Sequence, residues 1–353
     1  MNILVEKPDF RAGSIGKFLE FFSKIKKEDS LALISHIDLD GIVSTKITNE
    51  IFHTDLIKFV DYPVFNLNLL EDLKLQGVKN LVITDLYVKD EELINKLNEF
   101  ENVLIIDHHQ FIRDFNSSKI SFINAQDYCA AYLCFYLISS IKEIEHYDWL
   151  VACASISDFL FIKNEIWLKE IFEKYGDKFS IKEGLIDQNG KFWELQWYLS
   201  LAIIYSKESN LKDVYYSIGK DFGNMGDLTK SAKVVEDYIE ESLIKFEEEK
   251  INLRNGFFWE FIPEFKVGSF ISNMISTKYT DKTILIARPS DKHYIFSARR
   301  QDGKENMDLL LKSLTKNFKD ADGGGHIKAA GGHVSIKDKE EFKKLLGIEI
   351  DKL

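Results

Sequence analysis

Three cysteines are too few to make a disulfide framework, and no close pairing motif joins them. Cys129, Cys134 and Cys153 lie in apolar segments that read as helices, where a free thiol packs as a small hydrophobe. No apolar run approaches the length of a membrane span. Residues 1 to 10 carry acids and a proline where a signal peptide would need an apolar stretch. The expectation is a soluble, cytoplasmic protein with no membrane partner. Internal repeats and low-complexity tracts are also missing. So is any excess of positive charge: 46 Lys and Arg face 57 Asp and Glu, a net charge of −11. Such a surface repels a polyanion over most of its area and leaves long nucleic acid only a local basic groove. A small anionic substrate held by metal ions fits the balance better.

What is present is globular: 353 residues, 45% hydrophobic and 29% charged, enough for two domains with ample core. The stretch Val103 to Ile106 is short, aliphatic and unalternating, which reads as a strand buried on both faces of a parallel sheet. It runs into Asp107, His108 and His109, at the end of the strand where open α/β sheets place ligands. Leu31 to Ser35 is a similar run, followed by His36, Asp38, Asp40 and Gly41 and then a helix. Further strands are expected from Asp55 to Val60, ending at Asp61, from Asn80 to Thr84, ending at Asp85, and from Lys119 to Ile123. Helical spacing covers Phe18 to Ile25 and Glu91 to Phe100. Strands and helices alternating in this way predict a doubly wound parallel sheet.

After Asp127 the character changes. Tyr128 to Ile141 and Trp149 to Leu160 read as apolar helices, the second containing Asp158. Residues 163 to 226 are rich in aromatics and read as helices packed on the sheet domain. Leu228 to Leu253 reads as one long helix that stops at Asn255 and Gly256, a C-cap signal. The remainder reads as a smaller α/β domain, with strands from Thr283 to Ala287 and Tyr294 to Ser297 and a helix from Met307 to Phe318. The expected division is 1–226 for the sheet domain with its helical additions, 227–256 for a connecting helix and 257–353 for the second domain.

The polar residues that follow the buried runs are His36, Asp38, Asp40, Asp85, Asp107, His108, His109 and Asp158. Neighbouring parallel strands lie ~5 Å apart, so their ends can gather these groups into one cluster. Crowded carboxylates in a low-dielectric pocket repel one another, and divalent cations relieve that repulsion. Carboxylate with imidazole suits Mn²⁺ better than a thiol-loving metal. Two metals form the usual clamp for in-line displacement at phosphorus. Taken singly, an Asp after a strand is most often a helix N-cap, and His36 alone would be a satisfied buried histidine. Three polar groups at one buried strand end need a joint explanation. Gly323 to Gly325, before His326 and a helical reading, is either a plain turn or a row of backbone N–H groups open to a phosphate. Arg299 and Arg300 could each pair with the same anion, and spacing does not choose between them.

These motifs, in this order, resemble the DHH–DHHA1 phosphoesterase family. His36-x-Asp38-x-Asp40-Gly41 is similar to its first motif, Asp85 to its second, Asp107-His108-His109 to its third and Asp158 to its fourth. Ser297-Ala298-Arg299 and Gly323-Gly324-Gly325-His326 resemble the DHHA1 signature. The resemblance implies two divalent ions, Mn²⁺ foremost, with Mg²⁺ or Co²⁺ as substitutes. His36 and Asp38 would bind one, Asp40, His108 and Asp158 the other, with Asp85 bridging. Asp107 would orient an imidazole and His109 would contact the scissile phosphate. Arg299 and Gly323, Gly324, Gly325 and His326 would hold the substrate's terminal nucleotide or phosphate, in a cleft between the domains. The single residue between His36 and Asp38 is similar to the nanoRNase B and RecJ-like branches, and Asp322 stands where a fourth glycine often occurs. The implied activity is hydrolysis of short oligonucleotides to 5′-mononucleotides, with dephosphorylation of 3′-phosphoadenosine 5′-phosphate alongside it. The alternatives are a RecJ-like 5′→3′ single-strand DNA exonuclease and a non-catalytic binding protein. Expected partners are short oligonucleotides or small nucleotide phosphate esters, with a homodimer as a candidate assembly.

Overall fold

Leu31 to Ser35 is buried at every position because it lies inside a sheet covered on both faces, which removes the pressure for polar alternation. In the computed structural model, which describes residues 5–26, 30–182 and 185–352, this strand is β1 (Leu31–Ser35). Its companions are β2 (Ile57–Phe59), β3 (Asn80–Thr84), β4 (Asn102–Asp107) and β5 (Ile120–Asn124). All pair in parallel, in the order β2-β1-β3-β4-β5. The expected doubly wound α/β sheet is therefore present.

Helices α1 (Ile15–Lys24), α2 (Leu39–Phe52), α3 (Leu67–Leu75), α4 (Glu91–Leu97), α5 (Ala130–Ser139) and α6 (Asp148–Ser157) connect and cover it. Leu70, Leu73, Leu93, Ile94 and Leu97 of α3 and α4 pack on the face made by Ala32, Ile34, Leu81, Ile83, Val103 and Ile105. Helices α2, α5 and α6 pack on one another, with α2 against β1 and α5 against β4. Residues 163–226 hold α7 (Glu165–Lys174), α8 (Lys191–Ser206) and α9 (Leu211–Ser217), as the aromatic content suggested. They also hold a short ribbon, β6 (Ile181–Lys182) with β7 (Leu185–Ile186), that the sequence did not signal.

The chain divides into two compact units, Met1–Lys233 and Val234–Leu353. The long helix is α10 (Leu228–Glu249), shorter than its expected span. Its anticipated last turn is instead β8 (Ile251–Leu253), joined through Arg254 and Asn255 to β9 (Gly256–Glu260). Asn255 thus sits in a two-residue hairpin loop and Gly256 opens the strand after it, where a helix cap was expected. Four more strands follow, β10 (Thr283–Pro289), β11 (His293–Arg299), β12 (Asp322–Gly325) and β13 (Ala329–Ser335), giving a mixed sheet in the order β12-β13-β11-β10-β9-β8. The helices α11 (Gly268–Lys278), α12 (Met307–Thr315) and α13 (Lys339–Lys352) belong to this unit. Its core joins Tyr294, Phe296 and Ala298 to Leu311, Leu314, Phe342 and Leu346.

The glycine run corrects a second expectation. Gly323 to Gly325 is neither a turn nor the start of a helix but the edge strand β12, and the residues after His326 form β13. Consecutive glycines give no side-chain period to read, so the strand is invisible in the sequence.

Candidate metal centre

Strand register builds the site. Ser35 lies beside Thr84, and Thr84 beside Ile106. The next residue on each strand is His36, Asp85 and Asp107, so three polar groups emerge from three adjacent strands on one level. The turn after β1 is tight: a Cβ on Gly41 would sit 2.3 Å from the His36 carbonyl oxygen, so only glycine fits there. Asp38 caps α2, its carboxylate accepting from the Gly41 N–H at 3.0 Å. Asp85 and Asp158 have no such excuse. Asp85 has a left-handed backbone (φ 56°) and ends no helix, and Asp158 follows the last turn of α6.

The structure brings His36, Asp38, Asp40, Asp85, His108, His109 and Asp158 into one cluster. Donor atoms of His36, Asp38 and Asp85 lie within 4.8 Å of one another, as do those of Asp40, His108 and Asp158. Asp85 also groups with His108 and His109. His108 Nε2 is 3.2 Å from Asp85, 3.4 Å from Asp158 and 3.8 Å from Asp40. The two buried Asp40 oxygens accept the N–H groups of Ala130 and Ala131 at 2.7 Å, so the first turn of α5 holds its charge.

The donor set fits divalent cations. His36 Nδ1 lies 2.8 Å from Asp38 Oδ2 without hydrogen-bond alignment, and Asp85 Oδ2 is buried with no hydrogen-bond partner among the described residues. Atoms aimed at a common point rather than at each other produce that pattern. Electrostatics agree. Burial, then the charges of Asp38 and Asp40, push the Asp85 carboxyl well above its ordinary range. Burial and Asp40 do the same to Asp158. Burial first, with a lesser push from Asp38, raises Asp40. Burial works against the charge on His36, yet Asp38 and Asp85 hold its pKa up to about 10. The groups strain against one another in a way that positive charge would relieve.

Asp107 serves a different imidazole from the ones in the donor groups around Asp40 and Asp38. It lies 2.8 Å from His109 Nδ1, and its other oxygen accepts the His109 N–H. A carboxylate oxygen accepts from a ring N–H, so a proton on Nδ1 would satisfy Asp107 and leave Nε2 to the Tyr62 hydroxyl at 3.0 Å. Tyr62 is a residue that sequence reasoning missed. Burial, then Asp85 and Asp107, push its pKa far up, so it stays a proton donor. Asp61 was missed as well: its Oδ1 is 3.8 Å from His36 Nε2. The signal was available, because Asp61 comes two residues after the end of β2, one position beyond the level at which Asp85 leaves β3.

In the second unit, Ser297 and Arg299 line a cavity of about 210 Å³ with Phe261, Ser269 and Ser272. Arg299 is half-buried, burial lowers its pKa, and it makes no ion pair among the described residues. Arg300 is buried and pairs with Asp302 at 2.9 Å. The two arginines, indistinguishable by spacing, thus differ in what they are free to bind. The backbone N–H groups of the glycine strand are partly engaged: Gly323 donates to Asp322, Gly325 to Asp308 and His326 to Ala329. His326 itself is exposed.

A family model described as the DHH family, N-terminal domain, matches residues 30–157, and one for the DHHA1 domain matches residues 260–350. No curated protein matches the chain. Among solved structures, the chain is similar to a DHH-domain protein described as a member of a family of ribosomal proteins. They share 16% identity at a TM-score of 0.65, over 96% of this chain and 90% of that one. Exonuclease RecJ bound to manganese gives a TM-score of 0.65 at 14% identity, over 99% of this chain and 96% of that one. RecJ from Thermus thermophilus in complex with Mn²⁺ gives 0.64 at 13%, over 99% of this chain and 56% of that one.

Proposed function

The chain belongs to the DHH–DHHA1 family of metal-dependent phosphoesterases, and from that premise we propose that it is a Mn²⁺-dependent phosphodiesterase that cuts short oligonucleotides to 5′-mononucleotides. One observation carries the proposal: two groups of donors, His36–Asp38–Asp85 and Asp40–His108–Asp158, meet at the ends of adjacent parallel strands. His36 and Asp38 would hold one cation and Asp40, His108 and Asp158 the other, with Asp85 between them. Bound there, the cations supply Lewis acidity at phosphoryl oxygens and an activated water. His109, locked by Asp107 on one side and Tyr62 on the other, presents a fixed ring edge to the scissile phosphate. Arg299, half-buried and unpaired among the described residues, is the anion holder, with Gly323, Gly324, Gly325 and His326 at the edge of the same sheet, two strands away. Manganese is supported by the mixed carboxylate and imidazole donors and by the manganese complexes of RecJ, whose fold this chain shares. The net charge of −11 disfavours long polyanions and so favours the shortest substrates.

The second reading is a RecJ-like exonuclease on single-stranded DNA, favoured by the extent of the RecJ fold match. End-labelled dinucleotides, pentamers and 20-mers, each as RNA and DNA, separate the two when digested side by side in Mn²⁺. Preference for the shortest RNAs is expected. Efficient shortening of DNA 20-mers would transfer the proposal to the second reading. No hydrolysis of any would overturn both.

A further inference from the structure

Strand β11 alternates: Tyr294, Phe296 and Ala298 are buried, while His293, Ile295, Ser297 and Arg299 face the other way and are half-buried. In β13, His333 lies opposite Ile295, which makes it the diagonal neighbour of His293 on that second face. The two imidazole rings approach to 4.4 Å between centroids at a steep angle of 63°. Asp320, two residues before β12, completes a triangle, its Oδ2 3.4 Å from His293 Nε2. One donor atom from each of His293, Asp320 and His333 lies within 4.8 Å of the others. None of the three side chains makes a hydrogen bond with another group among the described residues. Asp320 adopts a left-handed backbone (φ 57°), which asparagine and aspartate tolerate better than most residues.

We infer that His293, Asp320 and His333 form a third cation site, of the Zn²⁺ class, within the second unit. Two imidazoles and a carboxylate are borderline donors suited to Zn²⁺, and three protein ligands leave a fourth vertex to water or an anion. The ladder between β11 and β13 fixes the backbone positions of both histidines on one face of the sheet. The site shares a face of β11 with Arg299, six residues away, or ~20 Å at strand rise. It is separate from the donors around Asp85, all of which lie in the first unit.

The test uses the full chain loaded with Zn²⁺ and desalted, with bound zinc counted by elemental analysis. The double variant His293→Gln/His333→Gln is expected to retain one equivalent fewer than the unmodified chain, with Mn²⁺-supported turnover unchanged. Equal zinc in both would overturn the site. If the double variant fails to fold, Asp320→Asn decides, since Asp320 is exposed on a bend. At least a tenfold loss of Zn²⁺ affinity at one site is expected, and an unchanged titration would refute the inference. Co²⁺ provides an independent reading: a tetrahedral absorption band in the unmodified chain that Asp320→Asn removes. Its persistence in that variant would also refute the site.

Discussion

Asp85→Asn should make the metal-free protein more stable and the metal-loaded protein less so. The substitution keeps shape, and asparagine tolerates the left-handed backbone at this position (φ 56°). It removes a carboxylate that burial and the neighbouring acids push well above its ordinary range. A donor atom of Asp38 lies within 4.8 Å of one on Asp85. Two charges at that separation repel by about 3 kcal/mol at an effective dielectric of about 20; the attraction of His36, 3.6 Å away, offsets part of this, and burial together with the charges of Asp38 and Asp40 outweighs it. Relief of part of that should raise stability in chelator by roughly 1–3 kcal/mol, or about 3–10 °C in Tm for a unit of this size. The sign with pH follows from the raised pKa. Below the ordinary value of 3.8 the carboxyl is neutral folded or unfolded and the variant gains nothing. As pH rises above it, the unfolded form sheds its proton more readily, so the gain grows toward neutrality. In Mn²⁺ the order should invert, because saturation at a thousand times Kd stabilises the unmodified protein by about 4 kcal/mol per site. Thermal melts of both proteins, in EDTA and in Mn²⁺, from pH 4 to 8, give the answer. If the variant melts lower than the unmodified protein in EDTA at neutral pH, Asp85 is a satisfied structural group and the electrostatic reasoning fails. If Mn²⁺ protects both equally, Asp85 is not a ligand.

Loading with Mn²⁺ at pH 7 should release at least one proton per chain, since His36 is held up to about 10 and a ligand must be neutral. Calorimetry in buffers of different ionisation enthalpy measures it; a value of zero would contradict the assignment of His36, and affinity should climb with pH toward that value. His109→Asn should cut kcat by about 10²–10⁴ while leaving Mn²⁺ stoichiometry intact, as expected for a proton-handling group. Tyr62→Phe should cost less, with the same stoichiometry, because it removes one hydrogen bond to His109 Nε2. Arg299→Ala should raise KM at least tenfold without moving Tm, whereas Arg300→Ala should lower stability by about 1–3 kcal/mol through its stranded Asp302 partner. Swapped outcomes would show that the free arginine is Arg300.

The parallel sheet was legible because β1, β3 and β4 are aliphatic runs with no polar alternation, a pattern that burial on both faces alone produces. The acids and imidazoles after those runs were legible for the same reason. What stayed hidden lies where a local signal is ambiguous or absent. Asn255 and Gly256 suit a cap and a hairpin equally, and β8 supplies only three residues to decide it. The glycine strand carries no side-chain pattern. Tyr62 touches His109 across 47 residues of sequence, from a loop after β2 to one after β4, a contact no motif announces. Arg299 and Arg300 were separable only once Asp302 was seen to hold one of them.

Parallel strands of one sheet also set a timetable. His36 leaves the ribosome roughly 120 residues before Asp158, an interval of about 6–24 seconds at ordinary synthesis rates. During it, the growing chain holds His36, Asp38 and Asp85 without the partners that neutralise or complete them. Strand pairing between distant segments is slow, because each crossover closes a long loop before its contacts form. On the proposed reading, capture of cations by this centre is a finishing step that follows assembly of the sheet. Manganese supplied during refolding should leave the folding rate unaltered and slow only the reverse reaction.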